Sequence, residues 1–196
     1  MSITLFEAAE SDADRIAAIH MAAFGPNILL RAQFPSEPTR VGLQDSIADK
    51  ALKDIRDPKT AVLVVRDQDE IISFAKWHFP VLKDQAFVGT DPIHERHGAA
   101  SQLIQWGIER CKIDNTPAYL EGTVDAAPLY QRYGFRAEAN ISMVLEGMGE
   151  DGASVNYRDL FCVQADRPSP TCAQGLTNSQ VGLAVMISIT NESMSW

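Results

Sequence analysis

Apolar and polar positions along the chain fall into short runs of strand character and longer stretches of helical period. Ile3 to Phe6 is a short apolar run consistent with a strand. Ser11 or Asp12 can then cap a segment in which Ile16, Ile19, Ala23 and Phe24 recur at helical spacing until Gly25-Pro26 stops it. From Asn27 to Pro58 the pattern weakens: Pro35 and Pro38 suggest a broken loop, while Ile47, Leu52 and Ile55 predict a second helix ending before Asp57-Pro58. Two β-rich runs, Ala61 to Val65 and Ile71 to Phe79, flank the polar turn Asp67 to Glu70 and predict a hairpin. Gln85 to Thr90 is a further candidate strand. Ser101 to Lys112 then places Leu103, Ile104, Ile108 and Cys111 on one face and Gln102, Gln105, Glu109 and Arg110 on the other, as in a helix packed on a sheet.

Beyond that helix, Pro117 to Glu121 predicts a short strand. Asp125 can cap a helix that admits Pro128 in its first turn and ends at Tyr133-Gly134-Phe135. Ala139 to Leu145 and Val155 to Val163 flank a glycine-rich turn and predict a second hairpin. The resulting order gives an α/β fold class: about seven strands in a mixed sheet, with about four helices on both sides. After Asp166 the chain turns to Pro, Ser, Thr, Asn and Gln. Residues 1–165 are therefore expected to form one domain and 166–196 a tail, with an extra edge strand at 181–189.

Composition narrows the function. The chain has 196 residues, 45% apolar and 22% charged, enough for one domain with a full core. Its net charge of −9 argues against a phosphate-coating nucleic-acid surface. Three widely spaced cysteines form neither a zinc pattern nor a disulfide scaffold and suit a reducing compartment. The N-terminus lacks a secretory signal, and the longest late apolar run, Val181 to Ile189, falls well short of the ~20 residues of a membrane helix. A cytoplasmic protein without nucleic-acid or membrane partners is expected.

The chemistry concentrates where a strand end enters a helix through small residues, from Thr90 to Ser101. Backbone N–H groups at Gly98, Ala99 and Ala100 can close around an anion there, helped by the helix dipole. By itself a Gly-Ala-Ala helix start can equally serve close packing. One helix and one strand later stands Leu129-Tyr130-Gln131-Arg132-Tyr133-Gly134-Phe135. With Glu95-Arg96-His97-Gly98-Ala99-Ala100 it resembles the paired signatures of the GNAT superfamily of acyl-coenzyme A N-acetyltransferases: a pyrophosphate loop, [QR]-x-x-G-x-[GA], and a later Leu-Tyr-x-x-x-Gly-Phe. The stretch from Asp91-Pro92 through Gln105-Trp106-Gly107 is especially similar to a fungal-type branch of small cytosolic members. Two departures stand out: Glu95 occupies the Gln/Arg position, and Thr123 a position where Asn is common.

The resemblance implies acetyl-coenzyme A as cosubstrate, no metal, and direct transfer of acetyl to a primary amine of a small molecule in a ternary complex. It implies splayed strands at Gln85–Thr90 and Pro117–Glu121, with pantetheine bonded to backbone near Val88, Gly89 and Thr90. Pyrophosphate would lie on His97, Gly98, Ala99, Ala100 and Ser101, with Arg96 and Arg132 as the nearest cations. Tyr130 matches the tyrosine that protonates the departing thiolate, although it could simply pack with Tyr133 and Phe135. For the base two candidates stay open, Glu121 at a strand end and His78, whose ordinary pKa suits proton transfer. His94 and His97 form a His-x-x-His pair without a third ligand and are expected to be solvated loop residues. Trp77 and Trp106 are expected in the core or in the wall of the acceptor pocket. That pocket should be lined by Asn27 to Pro58 and the turn Pro80–Asp84.

Two other readings compete. Glu95 and Thr123 would suit a GNAT-like scaffold that no longer holds coenzyme A and catalyses a decarboxylation or cyclisation. The apolar stretch Leu183 to Ile187 would suit a non-enzymatic ligand-binding or interaction module docking on another subunit, and a homodimer is left open. Residues after Ala165 contribute only Asp166, Arg167 and Glu192 to the charge, leaving −8 on residues 1–165, which mildly favours a neutral or cationic acceptor.

Overall fold

A computed structural model describes residues 2–78 and 87–164, with the side chain of Glu121 excepted. The expected tail 166–196, its strand at 181–189 and the turn Pro80–Asp84 lie outside the described residues. Seven strands and five α-helices are described: β1 (Ile3–Glu7), α1 (Ala13–Phe24), α2 (Ile28–Gln33), α3 (Glu37–Arg56), β2 (Thr60–Asp67), β3 (Glu70–His78), β4 (Phe87–Thr90), α4 (Ala99–Ile113), β5 (Tyr119–Thr123), α5 (Ala127–Arg132), β6 (Phe135–Leu145) and β7 (Val155–Gln164).

Both expected hairpins form. β2 pairs antiparallel with β3, and β6 with β7 across a bulge between Ala137 and Ala139. The strands build two sheets, of order β1-β2-β3-β4 and β5-β7-β6, and every described pairing is antiparallel. Seven strands with helices on both sides agree with the expected α/β class, and the expected splay appears as the missing ladder between β4 and β5. The helix α4 that joins β4 to β5 would ordinarily carry the chain to a parallel neighbour, but no ladder links those two strands.

Helices cover both faces of the larger sheet. On one face α1 and α3 pack Ile16, Ile19 and Ala51 against Val62, Val64 and Phe74; on the other, Ala99 and Leu103 of α4 meet Leu63, Val65, Ala75 and Trp77. The next turns of α4, Ile104, Ile108 and Cys111, pack with Ala118, Leu120, Phe135 and Cys162 around the smaller sheet. Val88 of β4 borders both α4-facing clusters, so the edges of the two sheets lie side by side. Trp77 and Trp106 belong to this core, and Gly107 lacks the Cβ that would strike the Trp77 indole.

The helix starts differ in detail from the expectation. Pro38 does not break a loop: it sits in the first turn of α3, where its missing N–H costs nothing, behind the cap Ser36. The Asp12 carboxylate does not cap α1; it accepts the Ala9 N–H at 2.9 Å and pairs with Arg66 at 2.8 Å. Asp125 lies in a single turn of 3-10 helix and caps nothing, while α5 begins two residues later with Pro128 in its first turn. Gly134, with φ of +80°, ends α5 as expected of a glycine able to take a left-handed conformation.

Candidate active site

The gap between β4 and β5 is the centre of the site. Asp91, just past β4, donates its backbone N–H to the Ile72 carbonyl of β3. Alternation along an antiparallel ladder then turns Gly89 toward β3 and leaves the N–H and C=O of Val88 and Thr90 directed into the gap. Gly89 therefore has a steric place: a Cβ there would lie 2.6 Å from the Phe74 ring and 3.3 Å from that of Phe24.

Asp91 also fixes the loop that follows. Its carboxylate accepts from Arg15 of α1 at 2.8 Å and from the Ile93 N–H at 3.2 Å, and Arg15 reaches on to Glu70 and the Ile71 carbonyl. From this anchor the chain passes through Arg96 (φ +65°) to Gly98 (φ +87°), which opens α4. No side chain caps α4, and the N–H groups of Ala99, Ala100 and Ser101 have no partner among the described residues. Their orphan donors and the helix dipole make an anion cradle. Ala99 is buried against the core, whereas Glu95, Arg96 and His97 are exposed, so the Glu95 carboxylate can stay in solvent. The His97 ring lies 3.2 Å from the His94 carbonyl, and no group of metal-binding side chains is found among the described residues. Arg132, at the end of α5, is exposed and has no ion pair among the described residues.

Tyr130 of α5 lies over Gly122 of β5; a Cβ at Gly122 would strike its ring and approach its hydroxyl to 3.0 Å. The ring packs edge-on to Phe135 with centroids 6.4 Å apart, so the expected packing role is real. Burial, with the nearby Cys162 and Asp159, pushes the phenol up to about 12, which keeps it a proton donor at neutral pH.

The two expected bases fare differently. His78 ends β3 with Nδ1 2.8 Å from the Thr60 hydroxyl, which donates to Asp57 at 3.0 Å. With the Thr60 proton directed to Asp57, the Thr60 oxygen is left as an acceptor toward Nδ1 of His78. Glu121 is placed only by its backbone, opposite Phe161.

A carboxylate that the sequence reading passed over stands nearby. Asp159 of β7 pairs in register with Thr123 of β5, accepts from the Tyr157 hydroxyl at 2.7 Å through Oδ2, and keeps Oδ1 buried without a hydrogen bond. Burial raises its pKa, with Tyr157 acting in the opposite sense. Tyr157 in turn accepts from the Asn27 amide at 3.0 Å, which ties β7 to the turn between α1 and α2.

A family model, acetyltransferase (GNAT) domain, matches residues 58–137, the segment that contains β4, the anion cradle, α4, β5 and α5. That segment is similar to a GNAT acetyltransferase domain. A match to this family implies acetyl-coenzyme A as the acyl donor. Solved structures share the fold well outside the matched segment. A histone acetyltransferase HPA2 and related acetyltransferase from Corynebacterium glutamicum is 22% identical with a TM-score of 0.63, over 87% of this chain and 99% of that one. The PaiA N-acetyltransferase of Thermoplasma acidophilum, solved with coenzyme A, is 13% identical with a TM-score of 0.60 over 84% and 99% of the two chains. A spermidine N-acetyltransferase SpeG chimera from Vibrio cholerae and hSSAT is 20% identical with a TM-score of 0.57 over 83% and 94%. A search of curated proteins found no match. No helix among the described residues is long and apolar enough to cross a membrane.

Proposed function

We propose that the protein moves acetyl from acetyl-coenzyme A to a primary amine of a small molecule by direct transfer in a ternary complex. The observation that carries this reading is the open seam between β4 and β5, with an uncapped helix N-terminus at one end and a buried phenol beside it. Pantetheine would fill the seam as a surrogate strand on the backbone of Val88 and Thr90, and the pyrophosphate would sit on the first turn of α4 from Ala99 to Ser101. Arg96 and Arg132 would supply the cations. In the reaction the amine nitrogen attacks the thioester carbonyl and the carbon–sulfur bond breaks; Tyr130, held protonated by burial, gives its proton to the thiolate. His78 and Glu121 remain candidates for relaying the amine proton through water. A cytoplasmic location and a domain ending near residue 165 accord with this reading.

Isothermal titration with acetyl-coenzyme A is the direct test. Micromolar binding that weakens when Arg96 and Arg132 are both replaced by Ala is expected; no heat at high micromolar ligand overturns the reading.

A further inference from the structure

The smaller sheet carries a second chemical feature on the face turned away from Tyr130. Residues paired across a ladder point to the same side, so Tyr130, lying over Gly122, shares its face with Leu160, the partner of Gly122. Asp159 is one residue out of phase and points to the opposite face. Tyr157 and Phe161 flank Asp159 on that face at the two-residue period, the former bonded to its Oδ2 and the latter stacked 5.9 Å from Tyr119. Asn27 closes the end nearest the turn after α1.

This assembly is poor as structure and good as a receptor. A carboxylate oxygen withdrawn from water without a donor is destabilising unless a ligand supplies one. Aromatic rings about 6–7 Å to either side along the strand are within reach of a cation seated on that oxygen. The donor that fits is an ammonium group. A carboxylate or phosphate would be repelled, and a neutral hydroxyl would leave the charge of Asp159 uncompensated.

We infer that Asp159 receives the acceptor as a primary ammonium ion, its Oδ1 bonded to the N–H groups and its apolar body lying along Tyr157 and Phe161. The inference rests on the acetyl-transfer reading and sharpens it: the acceptor is a cationic amine approaching from the face opposite Tyr130, so amine and thiol meet the acetyl group from the two sides of the β5 edge. One nitrogen proton passes to the Asp159 carboxylate, and the neutral amine forms the carbon–nitrogen bond as the carbon–sulfur bond breaks. The thiolate takes the Tyr130 proton, the second nitrogen proton returns to Tyr130 through water, and Asp159 releases its proton to solvent. The raised pKa of Asp159 suits a group that must hold a proton briefly.

The test titrates the full chain with propylammonium, hexylammonium and 2-phenylethylammonium, each against its neutral alcohol, with saturating coenzyme A present and followed by NMR. A preference of about tenfold or more for at least one ammonium is expected, falling to within about twofold in Asp159→Asn. Tyr157→Phe, which keeps the ring and the carboxylate, should retain the preference. Equal binding of ammonium and alcohol, binding of neither, or a preference that survives Asp159→Asn overturns the assignment. Coenzyme A affinity measured on the same samples separates the two ideas: if wild type binds no coenzyme A the acetyl-transfer reading fails, whereas intact coenzyme A binding without ammonium preference sinks only the role of Asp159. Thermal melts of both variants show whether the fold is kept.

Discussion

His20 gives the fold a measurable sensitivity to acid. It sits on α1, only 7% exposed, with Nδ1 buried and unpartnered, its ring 4.7 Å from that of Phe24 and 6.3 Å from that of Phe74. Burial chiefly, with a smaller contribution from the Lys76 charge, lowers its pKa from 6.5 to about 4. In the unfolded chain the ring titrates near its ordinary value. Between the two values the unfolded state binds the extra proton, so stability is fully present above about pH 6.5 and is lost as pH falls through about 4. At about 1.4 kcal/mol for each unit of separation, the loss from this group is about 2 kcal/mol at pH 5 and about 3 kcal/mol below pH 4. Urea unfolding at pH 7 and pH 5 measures it, with His20→Asn as the comparison because Asn keeps a polar side chain and does not titrate. The wild type should lose about 2 kcal/mol more than the variant over that interval. Equal losses would refute the reasoning and place the acid sensitivity in the carboxylates. The effect also reaches the site: Phe24 and Phe74 are the rings packed at Gly89, so charging His20 loads the strand proposed to hold pantetheine.

Tyr130→Phe should lower kcat about a hundredfold while leaving the KM for acetyl-coenzyme A within a factor of three, as steady-state kinetics on an active amine will show; unchanged kcat removes the acid role. Gly122→Ala should produce a comparable loss with the hydroxyl still present, because the new methyl group displaces the ring. Asp54 is buried and accepts from Lys76, itself buried, at 2.9 Å and from Lys50 at 2.8 Å. Asp54→Ala should therefore cost about 3 kcal/mol in urea unfolding by stranding Lys76, whereas Lys76→Met should be nearly neutral; equal effects would contradict the buried-pair argument.

Much of this was legible in the sequence, and the misses have physical causes. Both hairpins announce themselves through β-branched runs around polar turns, and α4 through Leu103, Ile104, Ile108 and Cys111 on one face. The helix from Glu37 was obscured because Pro38 is a breaker everywhere except the first turn, and only the backbone shows which case holds. The splay of β4 from β5 is legible only through the family resemblance: sequence order alone predicts neighbouring strands, and the absence of a β4–β5 ladder is a tertiary fact. Tyr130 and the Gly98 helix start stand at motif positions that can be found by spacing. Asp159 has no such motif. Its signal is a carboxylate between Tyr157 and Phe161 at strand period, with Leu160 and Cys162 on the other phase, and nothing in one strand tells whether that face is solvated or enclosed.

The single helix α4 spans the seam between the two sheets, with Ala99 and Leu103 in one core and Ile104, Ile108 and Cys111 in the other. Since packed side chains compress little, the volumes at those five positions act as a spacer that sets the aperture between β4 and β5. A one-methylene change at Leu103 or Ile108 alters that aperture without touching a single group of the site. Acceptor or acyl-chain selectivity can therefore drift through substitutions on the buried side of a helix whose first turn is proposed to hold the pyrophosphate.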